Sequence, residues 1–121
     1  LFSSKMTENK DLMEQQAMEL HQQLQVVEKQ IQDLDKAKED IQEISKEKDK
    51  QILVPIHNGI FIKAKLEDAE NFLVNVGSDV SVIKTRKDTE DLLEMQREEL
   101  SKYKQQLIEL FEGLAKKIQN V

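Results

Sequence analysis

The sequence predicts an α+β chain: a long antiparallel α-helical coiled-coil hairpin carrying a two-β-hairpin insert that joins a multi-subunit β-barrel. Three observations predict it. An apolar repeat of 3.5 residues runs through both flanks. Residues 52–84 switch to a period of two and are rich in Ile and Val. Glycines fall in that insert where tight turns are needed.

The first flank reads as a helix over 6–50, uninterrupted by Gly or Pro. Alternating steps of four and three from Met6 give Lys10, Met13, Ala17, Leu20, Leu24, Val27, Ile31, Leu34, Lys38, Ile41 and Ser45, and nine of these twelve positions are apolar. A repeat of that period without a slip is a coiled-coil seam. At ~1.5 Å per residue such a helix is roughly 65 Å long, too long to stand alone. The last flank reads as a second helix over 85–121. Its seam steps through Leu93, Gln96, Leu100, Tyr103, Leu107, Leu110, Leu114, Lys117 and Val121. Thr85 followed by Asp88 has capping-box spacing and marks its start. Gly113 inside it costs about 1 kcal/mol relative to Ala and softens the helix locally.

Between the helices, Ile60, Ile62, Ala64 and Leu66 share one face of a strand, and Phe61, Lys63 and Lys65 share the other. Asn58-Gly59 predicts a tight turn, because both residues tolerate positive φ, linking 52–56 to 60–66. Gly77-Ser78-Asp79 predicts a second turn, linking 72–76 to 80–84. Pro55 cannot donate to a ladder, so the first strand lies at an edge or ends there. Two isolated hairpins cannot bury their own faces, and open edges rich in Val and Ile invite further pairing. Joining strands from sister subunits into a closed barrel removes those edges. The residues expected to carry this assembly are Ile60, Ile62, Leu66, Val74, Val76, Val80 and Val82.

The helices differ in length, so about a dozen N-terminal residues overhang. That overhang carries Phe2, Met6 and Leu12, with Met13 beside it. Near the other terminus, Ile108, Phe111, Ala115 and Ile118 form an apolar stripe beside the Leu107–Leu110–Leu114 seam. An exposed stripe marks an interaction site; the plainer reading is that it widens the contact between the helices.

Composition limits the function. Charged residues make up 35% and aromatics 4%, which suits a narrow seam and not a thick core. The net charge of −6, with acids and bases mixed and no basic stripe, argues against a nucleic-acid partner. Cysteine is absent, so disulfides and thiolate metal sites are excluded, in keeping with a reducing, cytoplasmic setting. The apolar runs are too short to span a membrane, and residues 1–5 lack the apolar stretch of a signal peptide. Gly59, Gly77 and Gly113 are too far apart to build a phosphate loop, and His21 and His57 have no partner at metal spacing. These absences predict a non-enzymatic chain without a cofactor.

The insert carries a resemblance. Ile52-Leu-Val-Pro-Ile56, Ile60-Phe-Ile-Lys-Ala-Lys-Leu66, Phe72-Leu-Val-Asn-Val-Gly77 and Val80 to Thr85, in that order and spacing, resemble the α class of the prefoldin family, in its archaeal form and related to the eukaryotic subunit five. Two hairpins, not one, mark the α class over the β class. His57-Asn58 departs from the small or glycine residues of archaeal relatives. The resemblance implies a subunit of an ATP-independent holding chaperone, assembled as two α and four β subunits. It implies that coiled-coil tips hold unfolded proteins and pass them to a group II chaperonin. The tip residues that would hold clients are Phe2, Met6, Leu12, Met13, Phe111, Leu114, Ile118 and Val121. Two other readings stay open: a scaffold or filament-forming protein of the same fold that holds no clients, and a coiled-coil adaptor for one defined partner.

Overall fold

The computed structural model describes residues 2–47 and 50–120, with side chains from Lys5 onward. Element order is α1 (Phe2–Ile44), β1 (Gln51–His57), β2 (Ile60–Lys65), β3 (Asn71–Gly77), β4 (Val80–Thr85) and α2 (Arg86–Gln119). The chain divides into two compact units, one built from residues up to Asp33 and from Gln96 onward, the other from Leu34–Met95.

The first unit is a pair of antiparallel helices. Glu28 pairs with Lys104 at 3.6 Å, and the His21 ring lies 6.3 Å from that of Phe111. Residue numbers rise along α1 as they fall along α2. On α1 the half-buried and buried positions of this unit are Met13, Ala17, Leu20, Leu24, Val27 and Ile31, every one on the expected heptad steps. The deepest are Val27 and its counterpart Leu107, each 3% exposed. Side chains at such spacing meet because successive steps of four and three return to one face of the helix.

The α2 seam differs from the expected one. Arg97, Leu100, Lys104, Leu107, Phe111, Leu114 and Ile118 are buried or half-buried, whereas Gln96, Tyr103, Leu110 and Lys117 are exposed. From Leu93 a step of four is taken where a step of three was expected. Arg97 and Lys104 can occupy half-buried seam positions because a long aliphatic stem packs on apolar surface beneath its charged head. The Lys104–Glu28 pair is one such head.

The second unit holds the insert and the helix ends that flank it. Here α1 continues its seam through Leu34, Lys38 and Ile41, and Lys38 bonds Glu94 at 3.4 Å. The first helix ends at Ile44, short of the expected residue 50. The next amides donate three residues back, Lys46 N to Glu43 O at 3.0 Å and Glu47 N to Ile44 O at 3.0 Å. Such bonds tighten and close a helix end. Residues 46–50 are all charged and offer no apolar side chain to extend the seam. At the start of α2 the Thr85 hydroxyl accepts the Asp88 amide at 3.1 Å, the predicted cap, and Asp88 sits favourably at the positive helix end.

The insert forms two separate two-stranded antiparallel sheets, β1–β2 and β3–β4. In the first, Ile52 faces Ala64, Val54 faces Ile62 and Pro55 faces Phe61. In the second, Phe72 faces Lys84, Leu73 faces Ile83 and Val74 faces Val82. Each register slips by one residue next to its turn, between Pro55 and His57 and between Asn75 and Gly77. The two turns lie where expected and differ from each other in backbone conformation. In the first turn only Gly59 has positive φ (73°), so Asn58 does not share it. Two consecutive positive-φ residues occur in the second turn, at Ser78 (51°) and Asp79 (60°). Gly77 before them sits at φ 114°, and its amide donates to Asn75 Oδ1 at 2.8 Å. That backbone conformation admits glycine and strains any residue with a Cβ.

Candidate functional site: the unpaired insert and the helix-end grooves

Alternation along the strands sorts the side chains onto faces, and pairing in register stacks them. In the first hairpin one face holds Ile52, Val54, Ile62 and Ala64, all apolar; the other holds Leu53, Pro55 and Phe61 with Gln51, Lys63 and Lys65. In the second hairpin Val74 and Val82 share one face and Leu73 and Ile83 the other. Most of this apolar surface is open. Leu73 and Ile83 are each 74% exposed and Ile62 is 52% exposed. Val54, Ile56, Ile60, Val76, Val80 and Val82 are exposed as well.

Of the expected assembly residues, Ile60, Ile62, Val76, Val80 and Val82 are therefore open to a partner. Val74 is half-buried. Leu66 lies one residue past β2, half-buried, and its amide donates to Lys50 O at 3.4 Å.

A residue that pattern reasoning missed holds the insert in place. Arg86, the first residue of α2, donates its amide to Glu70 O at 2.8 Å, sets its guanidinium 3.5 Å from the Glu70 carboxylate, and bonds Ser45 Oγ at 3.0 Å. It thus ties the end of α1, the loop between the hairpins and the start of α2. In that loop the Asp68 carboxylate accepts the Glu70 and Asn71 amides at 2.8 and 3.2 Å, a turn that Asp makes by bonding its own backbone, and Ala69 is buried. No periodic signal marks Arg86, because its partners are distant in sequence.

The helical unit offers open grooves along its seam. One of about 430 Å³ is lined by Leu20, Leu110, Gly113 and Leu114, with Gln16, Gln23, Glu19, Glu109 and Lys117 around them. Leu110 is 60% exposed, and a Cβ at Gly113 would meet open space. A second, of about 400 Å³, lies beside Phe111 with Ala17, Met18 and His21. A third, of about 460 Å³, is lined by Met6, Leu12 and Met13 with Asn9, Gln16 and Asn120.

Of the expected client-holding residues, Met6 and Leu12 are exposed, and Met13, Phe111, Leu114 and Ile118 are half-buried. The side chains of Phe2 and Val121 lie outside the described residues. Phe111 and Ile118 belong to the helix-pairing seam, so they do not form a separate stripe beside it. Leu20, Leu110 and Gly113 line the groove as well, although the sequence marked the first two only as seam positions and the third only as a soft point of the helix.

Charges on the helices are surface pairs. Lys29 bonds Asp33 at 2.9 Å and Lys36 bonds Asp40 at 2.7 Å, each one turn apart. The hydrogen bond to Asp40, with its charge, raises the Lys36 pKa. Pairs this exposed contribute little to stability. Among the described residues no three His, Cys, Asp or Glu side chains are grouped to hold a metal ion, and no helix is long and apolar enough to cross a membrane.

Comparison with known proteins places these features. The family model described as "Prefoldin subunit" matches residues 13–121. The chain is 31% identical over 98 residues to a prefoldin subunit alpha of Thermofilum pendens, covering 80% of this chain and 76% of that protein. It is 33% identical over 104 residues to the prefoldin subunit alpha of Methanoculleus marisnigri, covering 86% of this chain and 62% of the relative. The counterpart in Methanosphaera stadtmanae is 32% identical over 82 residues, 68% of this chain and 59% of the relative. Against these last two the match spans about three fifths of their length. The fold matches a chain of filamentous PFD from Methanocaldococcus jannaschii, solved by cryo-EM, with a TM-score of 0.83 at 18% identity, covering 93% of this chain and 94% of that one.

Proposed function

The chain belongs to the prefoldin family, a family of non-enzymatic chaperones, and is similar to its α subunits; from that premise we propose that it captures unfolded proteins at the terminal ends of its helix pair and delivers them to a group II chaperonin. The observation that carries this reading is the set of open grooves lined by Met6, Leu12, Leu20, Leu110 and Leu114. Such grooves accept apolar side chains without demanding one shape, and methionine adapts to irregular partners. A single groove binds weakly. Several copies engaging one client raise avidity while each contact still releases fast.

The open insert supports assembly with partner subunits. The chain assembles through its hairpins with β-class subunits, two α with four β, and works in the cytoplasm without nucleotide. Burying a large apolar side chain fully contributes roughly 1.5–3 kcal/mol. The exposed strand residues hold a large share of that gain until partner strands cover them.

The test is aggregation of a chemically unfolded protein diluted from denaturant, without nucleotide, followed by light scattering while size exclusion with mass detection follows assembly. Suppression by a complex of fixed hexameric mass is expected. A well-formed complex that leaves aggregation untouched overturns client holding. A second reading, a scaffold that grows by repeated pairing of inserts, is favoured by the open apolar faces on both hairpins. A mass that rises steadily with concentration decides for it.

A further inference from the structure

The two faces of the first hairpin differ in chemistry, and that difference assigns them different partners. The face of Ile52, Val54, Ile62 and Ala64 is wholly apolar. It is the one to bury when the insert assembles, and in this respect the inference rests on the assembly reading above. The opposite face pairs Leu53 with Lys63 and Gln51 with Lys65, and carries Phe61 across from Pro55. Burying two lysines without partners costs several kcal/mol each, so this face stays at the surface.

It is left with an unusual composition for this chain. Leu53 is 61% and Phe61 57% exposed. Residues 51–65 contain two lysines and no acid, in a chain of net charge −6. Neither Lys63 nor Lys65 makes an ion pair among the described residues, although Lys29, Lys36, Lys38, Lys50, Lys104 and Arg86 do so with acids along the chain. Glu67 follows only after β2 has ended. The corresponding outward face of the second hairpin, around Leu73 and Ile83, is flanked by Asn71, Thr85, Asn75 and Ser81 and carries no charge.

We propose that the Lys63–Lys65 face of the first hairpin docks an acidic polypeptide segment in extended conformation, with two carboxylates at alternate positions and an apolar side chain two residues further on. Alternate residues of a strand are about 7 Å apart, so two carboxylates with the same spacing meet the two ammonium groups. The apolar side chain then lies against Phe61 and Leu53. Two lysines with an apolar neighbour are too few to track a nucleic-acid backbone, which needs an extended basic groove.

The test uses the chain assembled with a β-class subunit and two fluorescein-labelled peptides. One contains Glu-Ser-Glu-Ser-Leu, the other Lys-Ser-Lys-Ser-Leu. Anisotropy at about 50 mM salt, where charge pairs are weakly screened, reads binding, and the mass of the complex is read in parallel. The Glu peptide is expected to bind at least tenfold tighter than the Lys peptide and to weaken at about 300 mM salt. The double variant Lys63→Glu/Lys65→Glu should reverse the preference, and Lys63→Gln/Lys65→Gln should erase it with the mass unchanged. Equal binding of the two peptides, an unreversed preference, or tighter binding of a thymidine oligonucleotide overturns the proposal. Loss of the complex in the Gln variant also overturns it, since the lysines would then lie inside the assembly. Failure of the unaltered chain to assemble instead refutes the assembly reading, and the mass measurement separates the two failures.

Discussion

Replacing Ile62 with Asp tests the insert at its centre. Ile62 lies in the middle of β2, directly across from Val54 on the wholly apolar face, and is 52% exposed in the single chain. About half of its side chain is thus left for a partner to cover, worth roughly 1–1.5 kcal/mol from a full value of ~3 kcal/mol. Aspartate forfeits that gain and adds a second cost. A carboxylate enclosed among Ile and Val side chains without a partner costs several kcal/mol more. Together the two terms reach ~5 kcal/mol per subunit, a loss of about three to four decades in association constant. The helices are remote in sequence from this position, so their circular dichroism should persist. Ile62→Val is the control, because it removes one methylene and costs only about 0.5–1.5 kcal/mol. Sedimentation velocity with a β-class partner should show the native mass for Ile62→Val and dissociated chains for Ile62→Asp at micromolar concentration. An Ile62→Asp chain that assembles with undiminished affinity refutes burial of this face.

Four further outcomes are expected. Leu110→Ser should weaken client holding in the light-scattering assay, with thermal stability changed by less than ~0.5 kcal/mol, because Leu110 is mostly exposed. The double variant Phe111→Ser/Ile118→Ser should weaken holding too and leave assembly intact. It should also lower the melting temperature of the helix pair, since truncating half-buried apolar residues costs about 1–3 kcal/mol each. Arg86→Ala should speed hydrogen exchange at the Ser45 end of α1 and in β3, at a cost near 1 kcal/mol once the exposure of the Arg86–Glu70 pair is discounted. Gly77→Ala should destabilise the second hairpin by about 1–3 kcal/mol, whereas Gly113→Ala should stabilise α2 by about 1 kcal/mol, because a Cβ at Gly113 meets open space and its backbone is helical.

The first helix was the most legible element. Its expected seam is exposed at Met6 and Lys10 but coincides with half-buried or buried positions at every step from Met13 to Ser45, since the apolar letters off those steps, such as Leu12, Met18 and Val26, form no second sustained repeat. The second helix allowed two. From Leu93 a step of three leads to Tyr103 and Leu110, and a step of four leads to Arg97, Lys104 and Phe111. Counting apolar letters does not separate the two, since each phase has seven among its nine positions through Val121. The chain takes the second, because an aliphatic stem under a charged head packs nearly as well as a leucine. Both hairpins were legible from alternation and glycine position. The turn conformations were not: Asn58-Gly59 permits two turn geometries, and the local slip of register selects the one with positive φ at Gly59 alone. Arg86 was illegible for another reason. Its ties to Ser45 and Glu70 join segments whose meeting depends on the whole insert being folded.

The thin seam has a consequence for how stability and binding are related in this chain. A pair of helices buries one stripe from each and leaves both margins of that stripe wet. Val27 and Leu107 fall to 3% exposure, but Leu20, Leu24, Phe111 and Leu114 keep part of their surface open. The grooves form at those margins, beside Leu114 on one side and Phe111 on another. A residue such as Phe111 therefore serves the helix pair and the groove at once, and no substitution there can change one property alone. Leu110 stands outside the seam and inside the groove, so it is the position where the two properties separate. Deepening the seam with larger side chains would close the grooves that the proposed activity needs. The shallow burial along these helices is then what that activity requires, and stability has to come from length, repeated many times along the heptads, instead of depth.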